Sequence, residues 1–217
     1  KPYDKETGAF YKSNDEYVRG GNPNLREGHV LFTNGSIAYF TPSGQSFYRK
    51  GGIYANLWTG DTEKNDHSIL PSICDESGKA KIKRSVFETG KAEYELESET
   101  IKAKCAFTLN PENGHLLIKV NVFSNTNKVT SVKIEHAFKL ALTDEDTIHA
   151  HPVFSDLFIK RKSLAESGII YAKVNRNTLK EDRFLLHISD MEMEKDSDRD
   201  FADRKRAFFS KKINIRP

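Results

Sequence analysis

Ala92-Glu93-Tyr94-Glu95-Leu96-Glu97, Ile101-Lys102-Ala103-Lys104-Cys105-Ala106-Phe107 and Leu116-Leu117-Ile118-Lys119-Val120-Asn121-Val122-Phe123 decide the fold class. Apolar and polar residues alternate along them, as a sheet with one buried and one wet face requires. A fourth run, Val132-Lys133-Ile134-Glu135-His136-Ala137-Phe138, repeats the pattern. The links are Glu88-Thr89-Gly90, Asn110-Pro111-Glu112-Asn113-Gly114 and Ser124-Asn125-Thr126-Asn127. Gly and Asn tolerate positive φ and Pro fixes the entry to a turn, so the four runs read as one antiparallel meander.

Strand chemistry extends outward from this block. Ile37-Ala38-Tyr39-Phe40 precedes it, and Gly168-Ile169-Ile170-Tyr171-Ala172-Lys173-Val174 and Phe184-Leu185-Leu186-His187-Ile188 follow. Before the last 30 residues no apolar stripe of period 3.6 persists for three turns, which disfavours helical and α/β architectures. The expectation is one large all-β antiparallel sandwich over residues 1–189, with 190–217 as a charged C-terminal segment. In that segment six acids stand against two bases between 190 and 200, and six bases against no acid between 204 and 217. A solvated connector accounts for most of it, but Phe201, Phe208 and Phe209 imply that part of it is packed.

Composition narrows the function classes. With 34 Lys and Arg against 31 Asp and Glu, the net charge is +3 over 217 residues, too weak a field to imply a nucleic-acid partner. No run approaches the roughly 18 apolar residues of a membrane span. Cys74 and Cys105 have no neighbouring cysteine, so neither a redox CxxC pair nor a zinc knuckle is available. Two buried, reduced thiols in a cytoplasmic protein are expected.

Few residues carry chemistry. There is no Gly-x-Ser-x-Gly elbow and no P-loop, and Asp144-Glu145-Asp146 reads as a solvated turn of mutually repelling acids. His149 and His151 are two apart and on a strand would share a face, a weak metal pair in a chain otherwise read as having no metal and no cofactor. Tyr39, Phe40, Phe47, Tyr48, Tyr54 and Trp58 are interleaved with Asn34, Gln45, Arg49, Asn56 and Asp61. Flat rings beside amides, a carboxylate and a guanidinium are what sugar sites use for C–H stacking and hydroxyl recognition.

The segment His151-Pro152-Val153-Phe154-Ser155-Asp156-Leu157-Phe158, followed by Gly168-Ile169-Ile170-Tyr171-Ala172-Lys173 and Leu186-His187, resembles a stretch of the glycosyltransferase 36 group, classed with glycoside-hydrolase family 94. Asn34-Gly35-Ser36, Ser46-Phe47-Tyr48-Arg49, Trp58-Thr59-Gly60-Asp61-Thr62 and Asp75-Glu76-Ser77-Gly78 are similar to that group's landmarks in the same order, and Phe201–Phe209 to the stretch before its linker. The chain departs from the pattern at Pro42-Ser43-Gly44-Gln45, at Leu57 and in lacking a Trp soon after Gly78.

The resemblance implies a β-supersandwich similar to galactose mutarotase, followed in the parent enzyme by a helical linker and a catalytic α/α toroid. The function implied is that of a non-catalytic domain of a carbohydrate phosphorylase or glycosyltransferase. Its partners would be a β-glucan or β-glucoside, the enzyme's own catalytic domain and a second subunit in a homodimer. No catalytic residue is assigned, and Tyr48, Arg49, Trp58, Asp61 and His151 are the carbohydrate-facing candidates. The alternative is a stand-alone carbohydrate-binding or mutarotase-like protein, in which His149 or His151 would act with Glu135.

Overall fold

A computed structural model describes residues 9–12, 16–20, 28–58, 68–150, 159–164, 169–174, 183–190 and 206–217. Its strands form two large sheets and a small one. The first sheet runs β1 (Ala9–Lys12), β2 (Glu16–Gly20), β9 (Lys81–Glu88), β10 (Lys91–Glu97), β11 (Ile101–Leu109) and β12 (Leu116–Ser124). The second runs β3 (His29–Thr33), β4 (Ser36–Phe40), β5 (Ser46–Lys50), β6 (Ile53–Asn56), β13 (Thr130–Thr143), β7 (Ser72–Asp75) and β8 (Gly78–Lys79). The strands β14 (Ile159–Leu164), β15 (Ile169–Val174) and β16 (Phe184–Ile188) make the third. All pairings between strands are antiparallel.

Period-two patterning builds the core. Ala92, Tyr94 and Leu96 of β10 and Ile101, Ala103, Cys105 and Phe107 of β11 are buried, while the residues between them face outward. On that outward face Lys83, Arg84, Lys91, Lys102 and Lys104 pair with Glu93, Glu95 and Glu97. Such exposed pairs add little stability but keep opposite charges side by side on the wet face. From the second sheet Leu31, Ala38, Phe40, Ile73, Val132, Ile134, Phe138 and Leu140 close over the first. Tyr94 lies at the centre, with the rings of Phe40, Phe87 and Phe107 6.0 to 6.4 Å away. Its hydroxyl donates to the Thr41 carbonyl across the sandwich at 2.7 Å, which relieves the cost of burying a phenol.

Three expectations change. β10, β11 and β12 are a meander, but β13 is not its fourth strand: it pairs with β6 and β7 in the second sheet. Ser124-Asn125-Thr126-Asn127 is therefore a crossover between layers, shaped where the Ser124 hydroxyl donates to the Thr126 carbonyl and accepts from its N–H. His149 does not lie on a strand. Residues Glu145–Ala150 form a helix, α1, which removes the shared strand face on which the His149 and His151 metal pair depended. Asp144 precedes it and the exposed Glu145 and Asp146 fill its first turn, so the three acids are a helix start instead of a turn: Asp144 Oδ1 accepts from both the N–H and the hydroxyl of Thr147.

β13 is the spine. Its first ten residues pair along their whole length with β17 (Arg206–Ile215), so the basic end of the C-terminal segment is a strand of the second sheet. Leu142 then takes a left-handed φ of 49° while buried, at the point where the β13–β6 register shifts. A bulge there bends the spine toward α1. Among the described residues no helix is long and apolar enough to cross a membrane.

Candidate functional site

Strand parity sorts the sequence-predicted sugar residues. On β4 and β5, Ser36, Ala38, Phe40, Ser46 and Tyr48 turn toward the first sheet, whereas Tyr39, Phe47 and Arg49 turn to the outer face, where Tyr54 and Trp58 join them. Phe47 is the hub: its ring centroid is 5.4 Å from Tyr39, 5.2 Å from Tyr54 and 5.2 Å from Trp58. Trp58 meets Tyr39 edge-on at 5.5 Å. Leu57, Ala141 and Ile148 floor this cluster, and Tyr39, Phe47 and Trp58 are only partly buried.

One rim of the platform is charged. The Arg49 guanidinium sits 5.6 Å from the Tyr54 ring centroid, and its Nη1 lies 3.5 Å from the Tyr54 hydroxyl and 3.6 Å from Glu145 Oε2. Burial raises the Tyr54 phenol pKa; Arg49 opposes that shift and Glu145 adds to it, so the group stays a neutral donor at physiological pH. Burial alone raises that of Tyr39. Flat apolar faces beside a half-solvated cation, a carboxylate and two phenols can stack on a sugar ring and bond its hydroxyls.

α1 holds this rim in place. Asp144 caps it, and Arg183, just before β16, places both guanidinium nitrogens 3.3 Å from Asp144 Oδ2. The Thr147 hydrogen bond is the largest influence holding the Asp144 carboxyl below its usual range. Behind the platform the fully buried Asn56 accepts from the Tyr48 N–H and donates to the Ser46 carbonyl, which sets the β5 backbone from which Phe47 and Arg49 project.

The other predicted residues are elsewhere. Tyr48 lies on the inner face, where its hydroxyl donates to the Gly114 carbonyl at 2.9 Å and ties the β11–β12 turn to the second sheet. Gln45 and Asn56 are buried structural groups. Asn34 opens the β3–β4 turn and donates to the Glu112 carbonyl. Asp61 and His151 lie outside the described residues. Glu135 is ion-paired with Lys133 where β13 runs beside β7 and β17, far along the strand from Thr143, the partner of Tyr54.

Residues 61–212 match the family model of the glycosyl hydrolase 94 supersandwich domain. The chain belongs to that family. No curated protein matched it. As a glycosyl hydrolase 94 supersandwich domain it is a carbohydrate-active enzyme domain, and the match includes Glu145 and α1 but begins after Tyr39, Phe47, Arg49, Tyr54 and Trp58. The platform is thus built by strands upstream of the matched segment and closed by a helix inside it.

Sequence reasoning missed α1, Glu145 and Gly28. The cue for the helix was Asp144 followed three residues later by Thr147, with Glu145 and Asp146 in the first turn. Gly28 had no cue: a Cβ there would stand 2.1 Å from the Tyr39 ring, so the main chain lies against that ring and any larger residue would have to displace it. Among the described residues no group of three or more His, Cys, Asp or Glu is arranged to hold a metal.

Proposed function

We propose that this supersandwich is the non-catalytic domain of a family-94-type β-glucoside phosphorylase or glycosyltransferase, and that its outer aromatic platform meets the glycan. In this reading the sandwich takes in β17 as well as the strands within residues 1–189, and the C-terminal segment leads beyond that strand toward a helical linker and catalytic toroid. The domain works in the cytoplasm, where the free thiols of Cys74 and Cys105 stay reduced. Burial pushes the Cys105 thiol up to about 12, which makes it inert.

The observation carrying the reading is the partly exposed Tyr39–Phe47–Trp58 cluster with Arg49 and Glu145 on its rim. Glycoside chemistry takes two converging carboxylates. Here Glu145 faces Arg49, and Asp144 is bonded by Thr147 and Arg183, an arrangement suited to recognition.

Trp58 is the sole tryptophan, so its fluorescence reports the platform directly. Titration with cellobiose or β-glucan oligosaccharides should give a saturable change that Arg49→Gln weakens, and phosphate should be neither consumed nor released. A flat titration would remove the sugar-facing platform, and turnover by this chain would remove the non-catalytic assignment.

A further inference from the structure

The outer surface of the second sheet does not stop at Tyr39. Directly paired residues of neighbouring strands share a face, so the strand register continues the platform toward β3 in two rows. One row is Val30, Tyr39 and Phe47 across β3, β4 and β5; the other is Phe32, Ile37, Arg49 and Tyr54 across β3, β4, β5 and β6. Tyr39 links the two parts. Its ring centroid is 5.4 Å from that of Phe47, and the ring also stands against the Gly28 main chain just ahead of β3.

β3 ends this sheet, paired among the described residues with β4 alone. Folding uses one face of it: Leu31 packs into the core, while Val30 and Phe32 are 54% and 71% exposed. Among the described residues no large apolar side chain is more exposed than that of Phe32. Apolar side chains at an open sheet edge invite aggregation, and a contiguous apolar patch with a polar rim marks a binding surface.

The two ends of the rows differ in chemistry. At β6 and α1, Arg49, Tyr54 and Glu145 supply charge and a hydroxyl; at β3, Val30, Phe32 and Ile37 supply apolar surface. A polyanion would find its cation at one end only, and a wholly apolar partner would bury the Arg49–Glu145 pair at a desolvation cost. A neutral chain of sugar rings suits both ends, with C–H faces on the apolar side chains and hydroxyls on the rim. From β3 to β6 the rows cross three interstrand spacings, about 14 Å, longer than a disaccharide.

We propose that Val30, Phe32 and Ile37 form a second subsite of the platform, which takes a β-glucan chain laid across β3 to β6 and discriminates by chain length. This subsite rests on the sugar reading and makes its ligand an oligosaccharide chain instead of a disaccharide.

Titration of the full chain with cellobiose, cellotetraose and cellohexaose, and with laminari-oligosaccharides of the same lengths, tests it by Trp58 fluorescence and calorimetry. In the series that binds, affinity should rise about tenfold from the disaccharide to the hexasaccharide. Phe32→Ala removes a side chain that folding leaves in water, and should abolish most of that preference. Phe32→Tyr keeps the ring and should retain it. Circular dichroism confirms that each variant is folded. Equal affinity at all lengths, a length preference that Phe32→Ala leaves intact, or one that Phe32→Tyr destroys would each overturn the second subsite while the platform stands. A chain that answers to no length in either series would remove the sugar reading and the second subsite together.

Discussion

Tyr39 and Phe40 are neighbours on β4, yet they belong to different materials. Phe40 is shut between the sheets, 4.8 Å from Phe107 and close to Tyr94, while Tyr39 joins Phe47 and Trp58 on the outer face with part of each ring in water. The two aromatic clusters are similar in composition and centroid spacing. What differs is what lies beyond them: the inner rings have the whole first sheet as a partner, and the outer rings, among the described residues, have Leu57, Ala141 and Ile148 beneath them and the Gly28 main chain against Tyr39. The inner cluster holds the layers together, whereas the outer one keeps stacking surface in reserve.

The comparison is tested most severely by Phe107→Ala. The side chain is fully buried against Phe40 and Tyr94, so the lost transfer energy and the residual cavity should together cost about 3–5 kcal/mol. Chemical denaturation reads this directly. A loss no larger than that of an outer-face truncation would erase the distinction between the clusters.

A second break point lies where the third sheet meets the spine. His136 of β13 places Nε2 2.8 Å from the Ile69 carbonyl and Nδ1 2.8 Å from His187 Nε2 of β16. A carbonyl only accepts, so His136 carries its proton on Nε2 and accepts at Nδ1, and His187 donates from Nε2. Burial, with His187 adding, pushes the His136 ring down to about 3, and burial lowers His187 too. The unfolded chain binds protons on these rings near the ordinary value of about 6.5, so acid favours unfolding. Stability should be level above about pH 6.5 and fall below it, by about 2 kcal/mol at pH 5 for His136 alone. Denaturation midpoints at pH 8, 6.5, 5.5 and 5 check this, and His136→Gln should flatten the acid slope. A midpoint constant from pH 7 to 5 would mean the pair is not held neutral.

Legibility in the sequence followed the same division. The alternation in 92–97 and 101–107 reports burial directly, because a strand has only two faces and each residue must take one. The Ser124–Asn127 link was not legible: a polar turn looks alike whether the chain returns beside its own strand or crosses to the facing sheet, and only the pairing of β13 with β6, β7 and β17 decides. His149 was misplaced because the period-two argument presumed a strand, while the Asp144 cap had already started a helix. At the platform the residue types were legible and the grouping was not. Tyr48 and Arg49 were read as one surface, although adjacent residues on β5 point to opposite faces, and the Tyr48 hydroxyl bonds the Gly114 carbonyl inside.

The smallest stability effect should come from Trp58→Ala, and that smallness is what makes it informative. Trp58 is partly exposed and touches Tyr39 and Phe47, whose rings keep each other and the Leu57, Ala141 and Ile148 floor when it is removed. The hole opens to solvent, so no closed cavity forms and the cost should stay near 1 kcal/mol, well below that of Phe107→Ala. If the platform takes a sugar, the same substitution removes a stacking face that folding barely uses. Isothermal titration with the oligosaccharide that moves Trp58 fluorescence in the wild type should then show binding weakened at least about tenfold, as expected when a central aromatic anchor is lost. A Trp58→Ala variant that is strongly destabilised would make the outer cluster a second core, and one that binds the glycan as before would move the sugar elsewhere on the sandwich.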